Sequence, residues 1–324
     1  MRGGGCSPGP ATSRGLALQA ATQGLEQLAS SFIANSVGEW AGWQCDFGRG
    51  GAVVPVADKY LSETMIAYGQ APAGFELLST ESADGGDGGG GGLRRRFLRV
   101  LPEEGCAVSD LAAEVSTSTL TADVLRTRLR GSAGLGAFAL DDPPEGDARP
   151  AWYLRTTFFT PPGAATETSR VRVSLRFTGQ RLAATKPIRI ASERRWAAAG
   201  ALDAELRNGG SGATTAIGQW RTGLDASFVA ETVAARCFAG SRARSSSAAA
   251  AADDAEATAD TARVLELPPA VAVRVQECEG GCYLDVSLGR TGSSGADESV
   301  VVRRTFGASG ELERVEVGTI ANVG

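Results

Sequence analysis

Arg170-Val171-Arg172-Val173-Ser174-Leu175-Arg176-Phe177 decides the fold class. Polar and apolar residues alternate along it without a break. Val171, Val173, Leu175 and Phe177 therefore share one face, and Arg170, Arg172, Ser174 and Arg176 the other. A period of two is the mark of a half-buried β-strand. On its N-terminal side lies Trp152–Phe159 (WYLRTTFF), rich in aromatic and β-branched residues and stopped by Pro161, Pro162 and Gly163. On its C-terminal side Thr178–Arg181 turns the chain into a further strand at Lys186–Trp196. Strands joined by short turns, with no long helices between them, define an all-β, antiparallel class.

The pattern continues in both directions. Strand-like stretches fall at 43–47, 52–56, 75–79 and 93–101, with partial alternation at 120–130 and a weaker signal at 133–140. Downstream, Arg263–Leu267, Val271–Val275, Cys282–Leu288, Ser299–Phe306 and Glu313–Val317 form a regular series, the last two joined by the turn Gly307–Gly310. Residues 24–37 carry a short apolar helical pattern, and 57–68 reads as a short helix or irregular chain. The glycine–aspartate run at 83–92 and the acidic, proline-bearing 141–147 read as loops, the second too polar to bury.

At 324 residues the chain has the length of about two domains. The small, polar stretch at 197–212 supplies a boundary. The expected organisation is a tail or transit segment at 1–22, a first barrel at 23–200 and a second at 201–324. A low-complexity insertion of serine, alanine and acid occupies 240–260.

Each unit opens on Gly-x-Trp: Gly38-Glu39-Trp40 after the helix, and Gly218-Gln219-Trp220 after the boundary. With this much glycine the motif arises readily by chance, so its setting matters more than its count. Each copy leads into strand-like sequence, and each unit has a late Arg-Arg pair, Arg194-Arg195 and Arg303-Arg304. In lipocalin-like barrels such a tryptophan packs under an arginine at the closed end, the guanidinium stacking on the indole. Gly38, Trp40, Arg194, Gly218, Trp220 and Arg303 are thus expected to be structural, forming the barrel floors.

The chain resembles an uncharacterised family of lipocalin-like (calycin) double-barrel proteins of photosynthetic organisms. The resemblance is carried by 32–42 (FIANSVGEWAG), 100–106 (VLPEEGC), 265–273 (LELPPAVAV) and 301–310 (VVRRTFGASG). More distantly, the fold is similar to that of S-type phycobiliprotein lyases. The resemblance implies two consecutive lipocalin-like antiparallel β-barrels with a short N-terminal helix. The glycine loop at 85–92 and the alanine run at 246–252 depart from the pattern. The N-terminal segment has arginine, serine and small residues but no acid before Glu26 and no apolar signal core. That composition fits a transit peptide to the chloroplast, and equally a disordered tail on a cytoplasmic protein.

Composition narrows the chemistry. A formal charge of −5 argues against a dedicated nucleic-acid binder. No apolar run approaches the roughly 18 residues of a spanning helix. The chain has no histidine, which removes Ser-His-Asp and Cys-His arrangements and the commonest metal ligand together. The six cysteines show no zinc spacing. Cys278 and Cys282 flank a Gly-Gly turn, as thiols facing across a hairpin or as two ordinary strand cysteines. No catalytic and no metal-ligating residue is assigned.

The remaining chemistry is arginine on strands. A barrel mouth can hold one small ligand, and arginine is the side chain for a bidentate grip on a carboxylate. Trp152, Arg155, Arg172, Arg176 and Arg189 are the candidate ligand-binding residues; the alternative is that these arginines simply face water. Arg94–Arg96 and Arg99 read as a charge-protected edge strand, or as a contact for phosphate or an acidic partner. Asp141-Asp142 and Asp253-Asp254 read as solvated loop pairs. The expected function is non-enzymatic carriage of a hydrophobic small molecule: a tetrapyrrole (bilin), a carotenoid or a lipid. A ligand-free assembly module and lyase-like pigment attachment are the alternatives.

Overall fold

The computed structural model describes residues 24–69, 71–84, 91–100, 113–146, 151–160, 168–183, 186–195, 263–267, 270–291 and 297–321. In chain order these form α1 (Leu25–Ser36), β1 (Gly38–Phe47), β2 (Val53–Val54), a 3-10 turn (Asp58–Tyr60) and α2 (Glu63–Ala67). Next come β3 (Gly74–Asp84), β4 (Gly92–Val100), β5 (Ala113–Leu120), α3 (Ala122–Arg128), β6 (Leu129–Ser132) and β7 (Ala137–Asp142). They are followed by β8 (Trp152–Phe159), β9 (Ser169–Phe177) and β10 (Ile188–Arg195). The last group is β11 (Arg263–Leu267), β12 (Val271–Cys278), β13 (Gly281–Thr291), β14 (Asp297–Gly307) and β15 (Leu312–Ala321). The protein is all-β, antiparallel and barrel-like.

The first sheet runs β5-β4-β3-β1-β10-β9-β8-β7-β6, with β2 paired to β1 beside this path. It is strongly curled. Arg172 on β9 lies 4.9 Å from the ring of Phe97 on β4, four strands away in the sheet order. On a flat sheet with strands nearly 5 Å apart those side chains would be roughly 19 Å distant. α1 touches both β3 and β6, and α3 both β4 and β7, so the two helices lie across one end of the half-barrel. The second sheet is a meander in sequence order, β11 to β15.

The alternation of β9 sends its two faces into different surroundings. Val171, Val173, Leu175 and Phe177 lie on the convex face with Leu154, Phe158, Ile188 and Ile190, and pack in one apolar cluster with Val273, Leu284, Val286, Val302 and Phe306 of the second sheet. Burying each such side chain contributes about 1.5–3 kcal/mol. The principal core therefore lies between the sheets, and the arginine face of β9 turns into the concave interior.

A buried ion pair and a close glycine contact help to fix how the sheets meet. Arg304, fully buried in the apolar layer, donates from Nε and Nη2 to the two carboxylate oxygens of Asp141, each at 2.8 Å. Its remaining donors reach Thr156 Oγ1 (3.0 Å) and the Arg155 carbonyl (3.1 Å). The turns at Gly179 and Gly310 also touch backbone to backbone. Both have φ in the left-handed region (+92° and +82°), and a Cβ on Gly179 would stand 2.3 Å from the Gly310 Cα. Only glycine supplies both the conformation and the clearance.

Several expectations need correcting. Residues 122–128 form a helix, because Thr121 Oγ1 accepts from the Val124 amide at 3.3 Å and starts one. Asp141 and Asp142 are not solvated loop residues; they end β7, and both are ion-paired. β4 is no edge strand, since β3 and β5 flank it, and Arg95 and Arg96 are buried. Cys278 and Cys282 form no disulfide, which agrees with the reading of two ordinary strand cysteines. The register pairs Cys278 with Gly281 and Cys282 with Glu277, which puts the two thiols on opposite faces. Gly218, Trp220, the 197–212 boundary, the 240–260 insertion and Asp253-Asp254 lie outside the described residues.

Candidate functional site

The floor of the half-barrel is built on Trp40. Its indole is fully buried, and Nε1 donates to the Ser36 carbonyl at the end of α1 (2.8 Å). The Arg170 guanidinium lies 4.1 Å from the ring centroid and that of Arg195 lies 5.1 Å from it. Arg195 also donates to the carbonyls of Val37 (2.9 Å) and Asn35 (3.2 Å), capping the C-terminus of α1. Gly38 has φ +138°, and a Cβ there would come within 3.3 Å of Arg195 Nε. The arginine over Trp40 is thus Arg195, joined by Arg170, and not Arg194. Register explains it: Arg195 stands opposite Trp40 and shares its face, whereas Arg194 stands opposite Ala41 on the other face. Arg303 belongs to the second sheet, bidentate to Asp285 (2.8 and 2.7 Å) and over the Tyr283 ring at 5.1 Å. That hydrogen bonding raises its pKa.

Immediately above the floor sits a buried charge cluster. Arg170 grips Glu193 with Nε and Nη2, both at 3.0 Å, and reaches Glu81 with Nη1 at 2.8 Å. Ser79 Oγ donates to Glu193 Oε1 and accepts from Arg170 Nη2, both at 3.0 Å. Arg172 Nε adds a 2.6 Å bond to Glu193. Burial alone would push the Glu193 carboxyl up, but Arg170 and Arg172 outweigh it and hold it down to about 2. Burial likewise pulls Arg170 down, yet its two glutamates leave it above its ordinary value.

Arg95 is treated less well. Its Nε stands 3.3 Å from Glu81 Oε2 in an ion pair without a hydrogen bond. The Arg170 Nη1 contact with Glu81 is of the same kind, but the Arg95 contact is the longer of the two. Burial, first of all, pushes its pKa down to about 10; Glu81 opposes this, and the like charges of Arg172, Arg170 and Arg155 add to it.

Over this cluster the interior opens into a cavity of about 70 Å³, lined among others by Gln44, Arg95, Arg155, Thr157, Arg172 and Arg189. Arg155 donates to both oxygens of Asp142 at 3.0 Å, and Arg189 to both oxygens of Asp46 at 2.8 and 2.9 Å. The Asp46 hydrogen bonds raise the Arg189 pKa. Further along the strands arginine stacks on aromatic rings: Arg176 on Tyr153 (4.6 Å) and Arg99 on Phe75 (5.7 Å).

Of the five residues expected to bind a ligand, Arg155, Arg172 and Arg189 converge on this cavity. Arg176 lies on the same face one register pair beyond them, opposite Tyr153. Trp152 does not join them. It stands opposite Phe177 on the convex face, donates from Nε1 to the Gly310 carbonyl (2.9 Å) and packs against Phe306. There it borders a shallower groove of about 320 Å³ between the sheets, with Arg130, Leu312 and Arg314. Sequence reasoning missed Arg95, Arg170, Glu81 and Glu193 as a group. They come from four strands, as two register pairs on adjacent strands, Arg170–Glu193 and Arg95–Glu81, that only the curl of the sheet brings together.

Among the described residues no helix is long and apolar enough to cross a membrane. No protein-family model matches the chain, and no curated protein is significantly similar to it.

Proposed function

We propose that this protein binds, without catalysis, a hydrophobic small molecule that carries an acid group, using the arginine-lined interior of the first sheet. One observation carries the reading: Arg155, Arg172 and Arg189, from three strands, meet Arg95 on one cavity, with the Phe97 ring 4.9 Å from Arg172 and the Tyr153 ring 5.4 Å from Arg155. Guanidinium groups beside aromatic rings suit an acid head and an apolar body. The cavity of about 70 Å³ is well below the roughly 300–1,000 Å³ that encloses a whole drug-sized ligand. The interior therefore suits the head, with the body against the aromatic rings. Among the expected ligands this favours an acidic lipid, or a bilin held by a propionate, over a carotenoid hydrocarbon. A plastid setting belongs to the same proposal, through the resemblance to lipocalin-like proteins of photosynthetic organisms.

The test is to purify the protein from its native cell under mild conditions and identify bound organics by mass spectrometry. Titrations with a fatty acid, a bilin and a carotenoid, followed by tryptophan fluorescence, complete it. A stoichiometric acidic ligand supports the proposal; an empty protein that responds to none of the three overturns it.

The ion pairs favour one second reading. Arg155, Arg172 and Arg189 each have a carboxylate partner, as in a ligand-free barrel used for assembly. A specific partner recovered by pull-down, together with an empty cavity, would decide for that reading.

A further inference from the structure

The interior carries a charge imbalance that narrows the ligand, if the acid-binding reading above is correct. The buried cluster sets three guanidiniums, Arg95, Arg170 and Arg172, against two carboxylates, Glu81 and Glu193. Of the flanking groups, Arg189 is paired one to one with Asp46, whereas Asp142 is shared by Arg155 and Arg128. Within the buried cluster one positive charge is left over, in a place where uncompensated charge is costly.

The surplus falls on Arg95. Glu193 takes three hydrogen bonds from Arg170 and Arg172, and Glu81 is closest to Arg170, at 2.8 Å against 3.3 Å for Arg95. Arg95 lines the cavity with its Nε lacking a hydrogen bond and its side chain more than nine-tenths buried. Beneath it Phe32 and Trp40 close the floor, so an incoming group has no deeper place to go.

We infer that the natural ligand is an amphiphile with a single carboxylate at one end, bound head-inward on Arg95 with its apolar chain running out past Phe97 and Tyr153. One carboxylate neutralises the one surplus guanidinium and matches its planar donor fork. A neutral head would leave Arg95 uncompensated.

The experiment measures dissociation constants of dodecanoate, its methyl ester and dodecanol for the unaltered protein, Arg95→Gln and Arg95→Lys, with near-ultraviolet circular dichroism confirming each fold. Arg95→Gln leaves Arg170 and Arg172 balanced by Glu81 and Glu193, so the variant is expected to fold. The unaltered protein should prefer dodecanoate over the ester and the alcohol by about tenfold to a hundredfold, the range of a charge-assisted hydrogen bond. Arg95→Gln should lose that preference and Arg95→Lys should keep part of it. Equal preference in Arg95→Gln and the unaltered protein overturns the role of Arg95. Equal binding of acid, ester and alcohol by the unaltered protein overturns the inference while leaving a hydrophobic carrier standing. Binding of none of the three removes the acid-binding reading and the inference with it.

Discussion

Arg304→Met is the most direct test of how the two sheets are held together. Methionine fills similar space in the apolar layer but donates nothing, so Asp141, Thr156 Oγ1 and the Arg155 carbonyl all lose a donor. The heaviest loss is at Asp141, a carboxylate only 6 % exposed that is left without its cation. Removing one member of a buried pair costs about 3–5 kcal/mol, against a total stability of about 5–15 kcal/mol for a typical domain. Removing both members differs: Arg304→Met with Asp141→Leu leaves an apolar contact and should recover at least about 2 kcal/mol of the loss. Urea unfolding followed by tryptophan fluorescence and far-ultraviolet circular dichroism supplies the numbers. Because the shared apolar layer makes the sheets one cooperative unit, both probes should give the same transition. A loss below about 1 kcal/mol in the single variant, or a double variant no more stable than it, would refute the reasoning.

Three further expectations follow from the same geometry. Glu193, held at about 2 against an ordinary 4.5, stabilises the fold above the unfolded value, and that stability drains away as pH falls from about 4.5 towards 2. The loss should reach at most about 3 kcal/mol, and Glu193→Gln, already destabilised at neutral pH, should show a flatter acid limb in denaturation between pH 5 and 2. Gly179→Ala should cost about 1–3 kcal/mol through its left-handed φ and the collision with Gly310, whereas Gly134→Ala, with nothing within 4 Å, should be nearly silent in thermal unfolding. Trp40→Phe should lose about 1–2 kcal/mol, from the Ser36 hydrogen bond and the two guanidinium contacts, with the all-β circular dichroism unchanged.

The sequence made the strands legible where alternation was clean. β8, β9, β10 and β12 to β15 fall where the patterns of 152–159, 170–177, 186–196 and 271–317 place them. Alternation says which residues share a face, but not what that face will meet. The apolar face of β9 could have filled a barrel; it meets a second sheet instead, and the arginines take the inside. Trp152 was misread for that reason, since adjacency to Arg155 in sequence gave it the wrong parity. Asp141 and Asp142 were illegible because their partners, Arg304 and Arg155, lie far along the chain or across a strand pair. Arg95 sits in a run of three arginines, where neither face stands out as polar.

The division of β9 into a valine face and an arginine face also bears on how the chain avoids mistaken pairings as it folds. Slipping β9 by one residue against β8 and β10 would exchange its faces. Arg170, Arg172 and Arg176 would enter the layer against the second sheet, where each stranded charge costs several kcal/mol. Val171, Val173 and Leu175 would in turn confront Glu193, Ser79 and Glu81. A slip of two residues would restore the faces but pull Arg170 off Glu193 and Trp40. The charges that close the floor thus act as a proofreading device for the central hairpins, and only the native alignment satisfies them all.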